Sequence, residues 1–256
     1  MKTREERDNS DPVEPAGKAS TAPVGRSPTV SIVVPVYRDH AALASLLPRL
    51  REGTANEVLV VGVCDDQEAE AVARAADERW LAAPAPGRAA QMNLGAAGAQ
   101  GDVLLFLHAD TQVMCDVAAG VRRSIAGGAV GGAFARRFDA PSRFLRLTCR
   151  LADWRGRRWG WFLGDQGIFA RTEVFRALGG FPLWDRFEDL EFSRRLARQG
   201  PTQLLQPPLV SSARRFAEGA IRRTLKDLGL TARYLASSRN MPTAGNRQRG
   251  RALPPI

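Results

Sequence analysis

A chain of 256 residues with 44% hydrophobic content is long enough for one sizeable α/β domain whose core needs no covalent staples. Three cysteines (Cys64, Cys115, Cys149) without metal-ligand spacing, and only two histidines, exclude a disulfide framework and a zinc cage and point to a reducing compartment. The net charge of +10 is uneven: residues 214–251 hold ten Lys/Arg against Glu218 and Asp227, a net of +8, so the basicity belongs to the C-terminal region.

Residues 1–28 mix charges with Pro, Gly, Ser and Thr and show no hydrophobic period, so a disordered tail is expected there. No apolar run near the start has the length of a signal-peptide core or a membrane span, and the expected location is the cytoplasm. Residues 30–36 and 57–63 are short β-branched runs of the kind found in strands buried on both faces. Between them, residues 40–51 set Leu43, Leu46, Leu47 and Leu50 at helical spacing, which completes a parallel crossover unit.

A helix at residues 68–79, a loop, a helix at 87–99 and an apolar strand at 102–107 continue the alternation. The expected fold is a mostly parallel, Rossmann-like α/β sheet flanked by helices in a single domain. Ligands of such sheets bind outside the carboxyl ends of the strands. Further on, strands are expected at 133–138 and 167–170, and helices near 173–178 and 189–199, with Gly179-Gly180 stopping the first of these. From Arg239 onward the composition again reads as a disordered basic tail. The domain is therefore expected at 29–238, with a nucleotide-binding half at 29–130 and an acceptor-binding half at 131–238.

Four segments carry chemistry. The run Asp102-Val-Leu-Leu-Phe-Leu-His-Ala-Asp110-Thr drives a buried strand into a polar terminus, and strand alternation predicts His108 and Asp110 on one side. A carboxylate there suits a hard divalent cation, Mg²⁺, or Mn²⁺ with the imidazole beside it. The ordinary alternative is that Asp110 and Thr111 cap a following helix and His108 is a packing residue. In the second segment Glu188 and Asp189 start a helix, where the dipole favours a carboxylate and one of the two can take a proton from a hydroxyl. Simple charge complementation of that helix explains them equally well. The third is Gly164-Asp165-Gln166-Gly167, polar residues between glycines that admit a ligand to the backbone, or an ordinary turn. The fourth, Pro86-Gly87-Arg88 through Gln91 and Asn93, feeds a helix whose first amides can receive an anion.

Together and in this order, these segments resemble the family-2 glycosyltransferases, which have the A-type glycosyltransferase fold. More narrowly they look like the bacterial arsenosugar-biosynthesis and carotenoid-acid glycosyltransferases. The resemblance covers residues 31–235 and is most specific in Gly87-Arg88 to Asn93 and in His108-Ala-Asp110. It implies an inverting hexosyl transfer, with Asp110 and His108 at a metal bridging the donor diphosphate and Asp189, beside Glu188, as general base. Asp165, Gln166 and Gly164 would lie near the acceptor. Pro35, Tyr37, Asp65, Asp66, Gly87, Arg88, Asn93 and Arg215 would line the donor.

The implied partners are a nucleotide-diphosphate sugar and a hydroxyl- or carboxyl-bearing acceptor, lipid-like ones included, with no nucleic acid. One departure stands out: Gly62 occupies the position where the family carries a nucleobase-contacting aspartate, which leaves Asp65 or Asp66 as substitutes and an inactive nucleotide-binding homologue as the alternative reading. A basic amphipathic helix expected at residues 219–235 raises a second alternative, weak association with the inner face of the membrane. The nucleic-acid alternative is weaker, because the basic region lacks interleaved aromatics.

Overall fold

A computed structural model describes residues 26–213. The basic helix expected at 219–235, Arg215, the tail at 239–256 and the N-terminal tail up to residue 25 lie outside the described residues.

The first crossover unit forms as expected: β1 (Val30–Pro35), α1 (His40–Arg51) and β2 (Glu57–Val63), with β1 and β2 parallel. Leu43, Leu46, Leu47 and Leu50 face the sheet and are all buried. Each contributes roughly 1.5–3 kcal/mol of burial. The next helix is shorter than the sequence suggests. α2 spans Gln67–Ala75, Asp77 takes a left-handed φ of 56°, and β3 (Arg79–Ala83) follows parallel to β2. β3 is an edge strand paired on one side only, so the continuous apolar run that marks a central strand is missing.

α3 (Arg88–Gly98) and β4 (Val103–Phe106) follow. β4 pairs parallel with β1, so β3, β2, β1 and β4 form a continuous parallel block whose carboxyl ends share one side. The residues after β4 do not start a helix. Thr111–Gln112 is a short strand, β5, and α4 (Val117–Ala126) begins only after Asp116, whose Oδ1 accepts from the Ala119 amide at 3.0 Å. The capping alternative for Asp110 and Thr111 is thereby excluded.

The remaining elements are β6 (Gly131–Phe138), α5 (Arg143–Trp159), a 3-10 turn (Gly164–Gln166), β7 (Phe169–Arg171), α6 (Thr172–Ala177), α7 (Glu188–Leu196) and β8 (Thr202–Ser211). The strand order is β3-β2-β1-β4-β7-β6-β8-β5, in a single mixed sheet where β7 runs antiparallel to both of its neighbours. Backbone bonds from Gly179 to Arg176 (3.0 Å) and from Gly180 to Phe175 (3.1 Å) close α6 at the expected glycines. α1, α2 and α4 cover one face of the sheet, and α3, α6 and α7 cover the other.

α5 and β8 had no expected counterpart. α5 buries only Leu145, Cys149, Ala152 and Gly156, a stripe too weakly apolar to stand out among its arginines. β8 carries Pro207 and Pro208, which read as strand breakers, and its register with β6 shifts between Phe134 and Arg136 to accommodate them.

Candidate active site

His108 lies just beyond the carboxyl end of β4, on the side where the strands of the parallel block end. Regular strand geometry ends at Phe106, and residues beyond it turn: the Thr111 amide donates to the His108 carbonyl at 3.1 Å. Strand alternation therefore does not set the relation between His108 and Asp110. The turn does, and it keeps the Asp110 carboxylate within electrostatic reach of the imidazole. Burial and then the Arg88 guanidinium push the His108 ring below its ordinary pKa, outweighing Asp165, Asp110 and Asp189, which act in the opposite sense. His108 Nε2 is enclosed and has no hydrogen-bond partner among the described residues.

Gly164 shows how closely these groups meet. A Cβ at that position would stand 3.0 Å from His108 Nε2 and 3.1 Å from Asp189 Oδ2, so the imidazole and the carboxylate face each other across the space a side chain would fill. Asp189 is oriented at the start of α7 by two amides, Gly164 donating to Oδ2 and Leu190 to Oδ1, both at 2.6 Å. This is the arrangement expected of a carboxylate at a helix N-terminus.

Arg88, the first residue of α3, reaches across to the same place. Its Nε donates to Glu188 Oε1 at 2.6 Å, Nη2 pairs with the same oxygen, and Nη2 lies 3.7 Å from Asp189 Oδ2. Glu188 is 1% exposed and its Oε2 is buried without a partner. Burial, then the neighbouring Asp189 charge, raises its pKa against the opposing pull of Arg88.

Asp165 is held by Arg136 of β6. Burial opposes its ionisation, yet Arg136, with His108 and Arg155, outweighs burial and keeps the carboxyl below its usual range. Gln166 is buried and donates to the Phe134 carbonyl at 3.3 Å, while its Oε1 accepts from the Leu163 amide at 3.1 Å and from Arg155 Nη2 at 3.4 Å.

The remaining expected residues lie at the adjoining strand ends. Pro35 closes β1, and the exposed Tyr37 has the Arg38 guanidinium 5.1 Å from its ring centroid. Asp65 is exposed, 3.8 Å from Arg38 Nη2. Asp66 turns both oxygens inward, accepting from the Arg38 amide at 2.6 Å and capping α2 through the Ala69 amide at 3.3 Å. Gly87 caps α3. Asn93 faces elsewhere: it exchanges hydrogen bonds of 2.8 and 2.9 Å with the Phe181 backbone and so fixes the turn after α6.

Three sets of contacts go beyond what the sequence pattern indicates. Gln91, one helical turn after Gly87, is buried and donates to the Val36 carbonyl at 2.8 Å and the Val61 carbonyl at 2.7 Å, tying together the ends of β1 and β2. Arg136 and Arg155 orient the acidic turn. Finally, a Cβ on Gly62 would overlap the Trp80 indole, so this glycine makes room for the ring.

Among the described residues no group of three or more His, Cys, Asp or Glu forms a cage for a cation. The enclosed, unpartnered nitrogen of His108 suits a cation that takes its other ligands from a bound substrate, and Asp110 lies near enough to act on the same imidazole electrostatically.

This architecture is the A-type glycosyltransferase fold. Similar solved structures include a mannosyltransferase from Pyrobaculum calidifontis in complex with GDP-Man and Mn²⁺ (TM-score 0.58, 20% identity, 73% of this chain and 57% of that one). Others are mannosyl-3-phosphoglycerate synthase from Rubrobacter xylanophilus (0.56, 16%, 89% and 79%) and glucosyl-3-phosphoglycerate synthase from Mycobacterium tuberculosis in complex with Mn²⁺, UDP and glucosyl-3-phosphoglycerate (0.52, 17%, 72% and 70%). The chain thus spans little more than half the length of the first of these. A search of the curated proteins gives no match. The family described as Glycosyl transferase family 2 matches residues 31–177, and the chain belongs to that family.

Proposed function

We propose that this protein transfers a hexose from a nucleotide-diphosphate sugar to a hydroxyl- or carboxyl-bearing acceptor in the cytoplasm, by one direct displacement that inverts the anomeric carbon. The observation that carries this reading is the meeting of His108 and Asp189 beside Gly164, with Arg88 reaching Glu188 and Asp189 and with Asp110 and Asp165 near enough to act on the imidazole. Residues 29–130 would bind the donor and 131–238 the acceptor. The narrower resemblance to arsenosugar and carotenoid-acid transferases supports a lipid-like acceptor.

Asp189 is the general base. Its two amide donors hold the carboxylate in a fixed orientation, and the absence of a side chain at Gly164 lets it sit close to the His108 imidazole. It takes the proton of the acceptor hydroxyl as that oxygen bonds to the anomeric carbon, while the carbon–oxygen bond to the diphosphate breaks and its electron pair leaves with the phosphate. Glu188 is tied to Arg88, and this pair positions Asp189 and keeps a cation beside the carboxylates. Asp165, aligned by Arg136, and Gln166 contact the acceptor side. Asp110 and His108 would hold a divalent cation, Mg²⁺ or Mn²⁺, which when bound would supply positive charge to the departing diphosphate.

Asp189→Asn tests the assignment. With a panel of nucleotide-diphosphate sugars, the variant is expected to lose about 10²- to 10⁴-fold in turnover while its donor affinity stays unchanged. Wild-type turnover in the variant would remove Asp189 from the mechanism.

A further inference from the structure

Helix α5 carries on its outer side a surface that the transfer site does not use. Its inner side packs through Leu145, Cys149, Ala152 and Gly156. On the opposite side Leu147, Leu151 and Trp154 stand four and three residues apart and are 53%, 56% and 56% exposed, forming one apolar stripe along the helix. Arg146, Arg150, Arg157 and Arg158 beside the stripe are exposed, and the only acid of the helix, Asp153, is half-buried. The Trp154 ring meets the exposed Trp159 edge-on, with centroids 4.8 Å apart.

Charge selects the occupant. A second copy of the chain would set one arginine rim against another, and the segment at 214–251 would bring ten more cations to the same face. Like-charge juxtaposition opposes both. A nucleic acid would meet the arginines and stack on Trp154 but leave Leu147 and Leu151 in water. An anionic bilayer accommodates all of them: leucines at the acyl boundary, tryptophan among the headgroups, arginines on the anionic groups.

We propose that α5 docks in the plane of an anionic phospholipid surface, with Leu147, Leu151 and Trp154 inserted. From its flank the same helix holds the candidate acceptor turn, because Arg155 donates to the Trp161 carbonyl at 3.0 Å and to Gln166 Oε1 at 3.4 Å. The acceptor is then an amphiphile drawn from the bilayer. That second step rests on the transferase reading above, whereas the docking does not.

The test is flotation of the full-length protein with vesicles of phosphatidylcholine alone, or of phosphatidylcholine mixed with an equal amount of phosphatidylglycerol. The protein is expected to float with the anionic vesicles, less so as salt is raised, and the triple variant Leu147→Ser, Leu151→Ser, Trp154→Ser to bind at least about tenfold more weakly with an unchanged melting temperature. Arg150→Glu with Arg157→Glu, which leaves every apolar contact in place, is expected to weaken binding in the same direction. Undiminished flotation of these variants would overturn the proposal. So would loss of flotation only on replacing Arg222, Arg223 and Lys226 by Gln, binding of a single-stranded oligonucleotide without vesicle binding, or a change of oligomeric state in the triple variant in place of vesicle binding. Slow donor hydrolysis in vesicle-free buffer separates the two readings: its absence counts against the transferase assignment, and flotation alone judges the docking.

Discussion

Arg88 joins two carboxylates that would otherwise share a buried corner: it pairs with Glu188 and approaches Asp189. Even with that partner the Glu188 carboxyl lies above its ordinary value of 4.5, through burial and then Asp189. A carboxyl raised on folding binds its proton more tightly in the folded state, so folded stability falls as pH climbs from the unfolded value to the folded one and stays reduced above it. Arg88→Met removes the cation that limits this shift. The variant is expected to lose roughly 1–3 kcal/mol at neutral pH, a moderate figure because Arg88 is partly exposed to water, and to recover much of it in mild acid. Urea unfolding at both pH values checks this, and an equal loss at the two would show that the ionisation of Glu188 is not involved. Gly62 presents the opposite problem, space in place of charge. Gly62→Asp, which restores the family residue, drives a side chain into Trp80 and should cost about 1–3 kcal/mol or more. Adding Trp80→Ala should return part of that stability in a thermal melt, whereas a strictly additive double variant would contradict direct contact.

At the scale of elements, Gln91 ties α3 to the ends of β1 and β2, the edge on which the candidate donor site is built. Gln91→Leu keeps the volume but leaves the Val36 carbonyl without its side-chain donor, and a loss of roughly 1–3 kcal/mol in denaturant midpoint analysis is expected. Unchanged stability would mean that water replaces the amide. The elements themselves were unequally legible. β1 and β2 are buried on both faces and show as unbroken β-branched runs, and α1 shows as a leucine repeat because one whole side meets the sheet. β3 at the edge, β8 with its paired prolines and α5 with its exposed leucines violate those same patterns for reasons set by their neighbours. The site follows the same rule. Asp110, Glu188 and Asp189 stand out as candidates only in combination with the other segments, because a lone carboxylate at the end of a strand or the start of a helix also reads as a cap. Arg136, Arg155 and Gln91 sit inside amphipathic elements, where a polar residue is ordinary, and only the fold shows which carboxylate or carbonyl each one meets.

For the whole molecule, the proposed site draws on Arg88, His108 and Asp110 from the first half and on Asp165, Glu188 and Asp189 from the second, so a ligand bound there braces both halves against unfolding. A nucleotide diphosphate at about 100 times its Kd adds roughly 2.7 kcal/mol of stability, about 5–10 °C in Tm for a domain of this size. The shift is expected with Mn²⁺ or Mg²⁺ present, to shrink sharply with a chelator, and to return when the cation is restored. The relative size of the two cation responses then ranks Mg²⁺ against Mn²⁺. Asp110→Asn should lose the cation-dependent part of the shift, because that carboxylate is assigned to the ion, while Asp189→Asn should keep it, because that carboxylate is assigned to the acceptor. A shift in Asp110→Asn as large and as cation-dependent as in the unsubstituted chain would move the ion away from the turn after β4, and the division of labour between the two aspartates would fail with it.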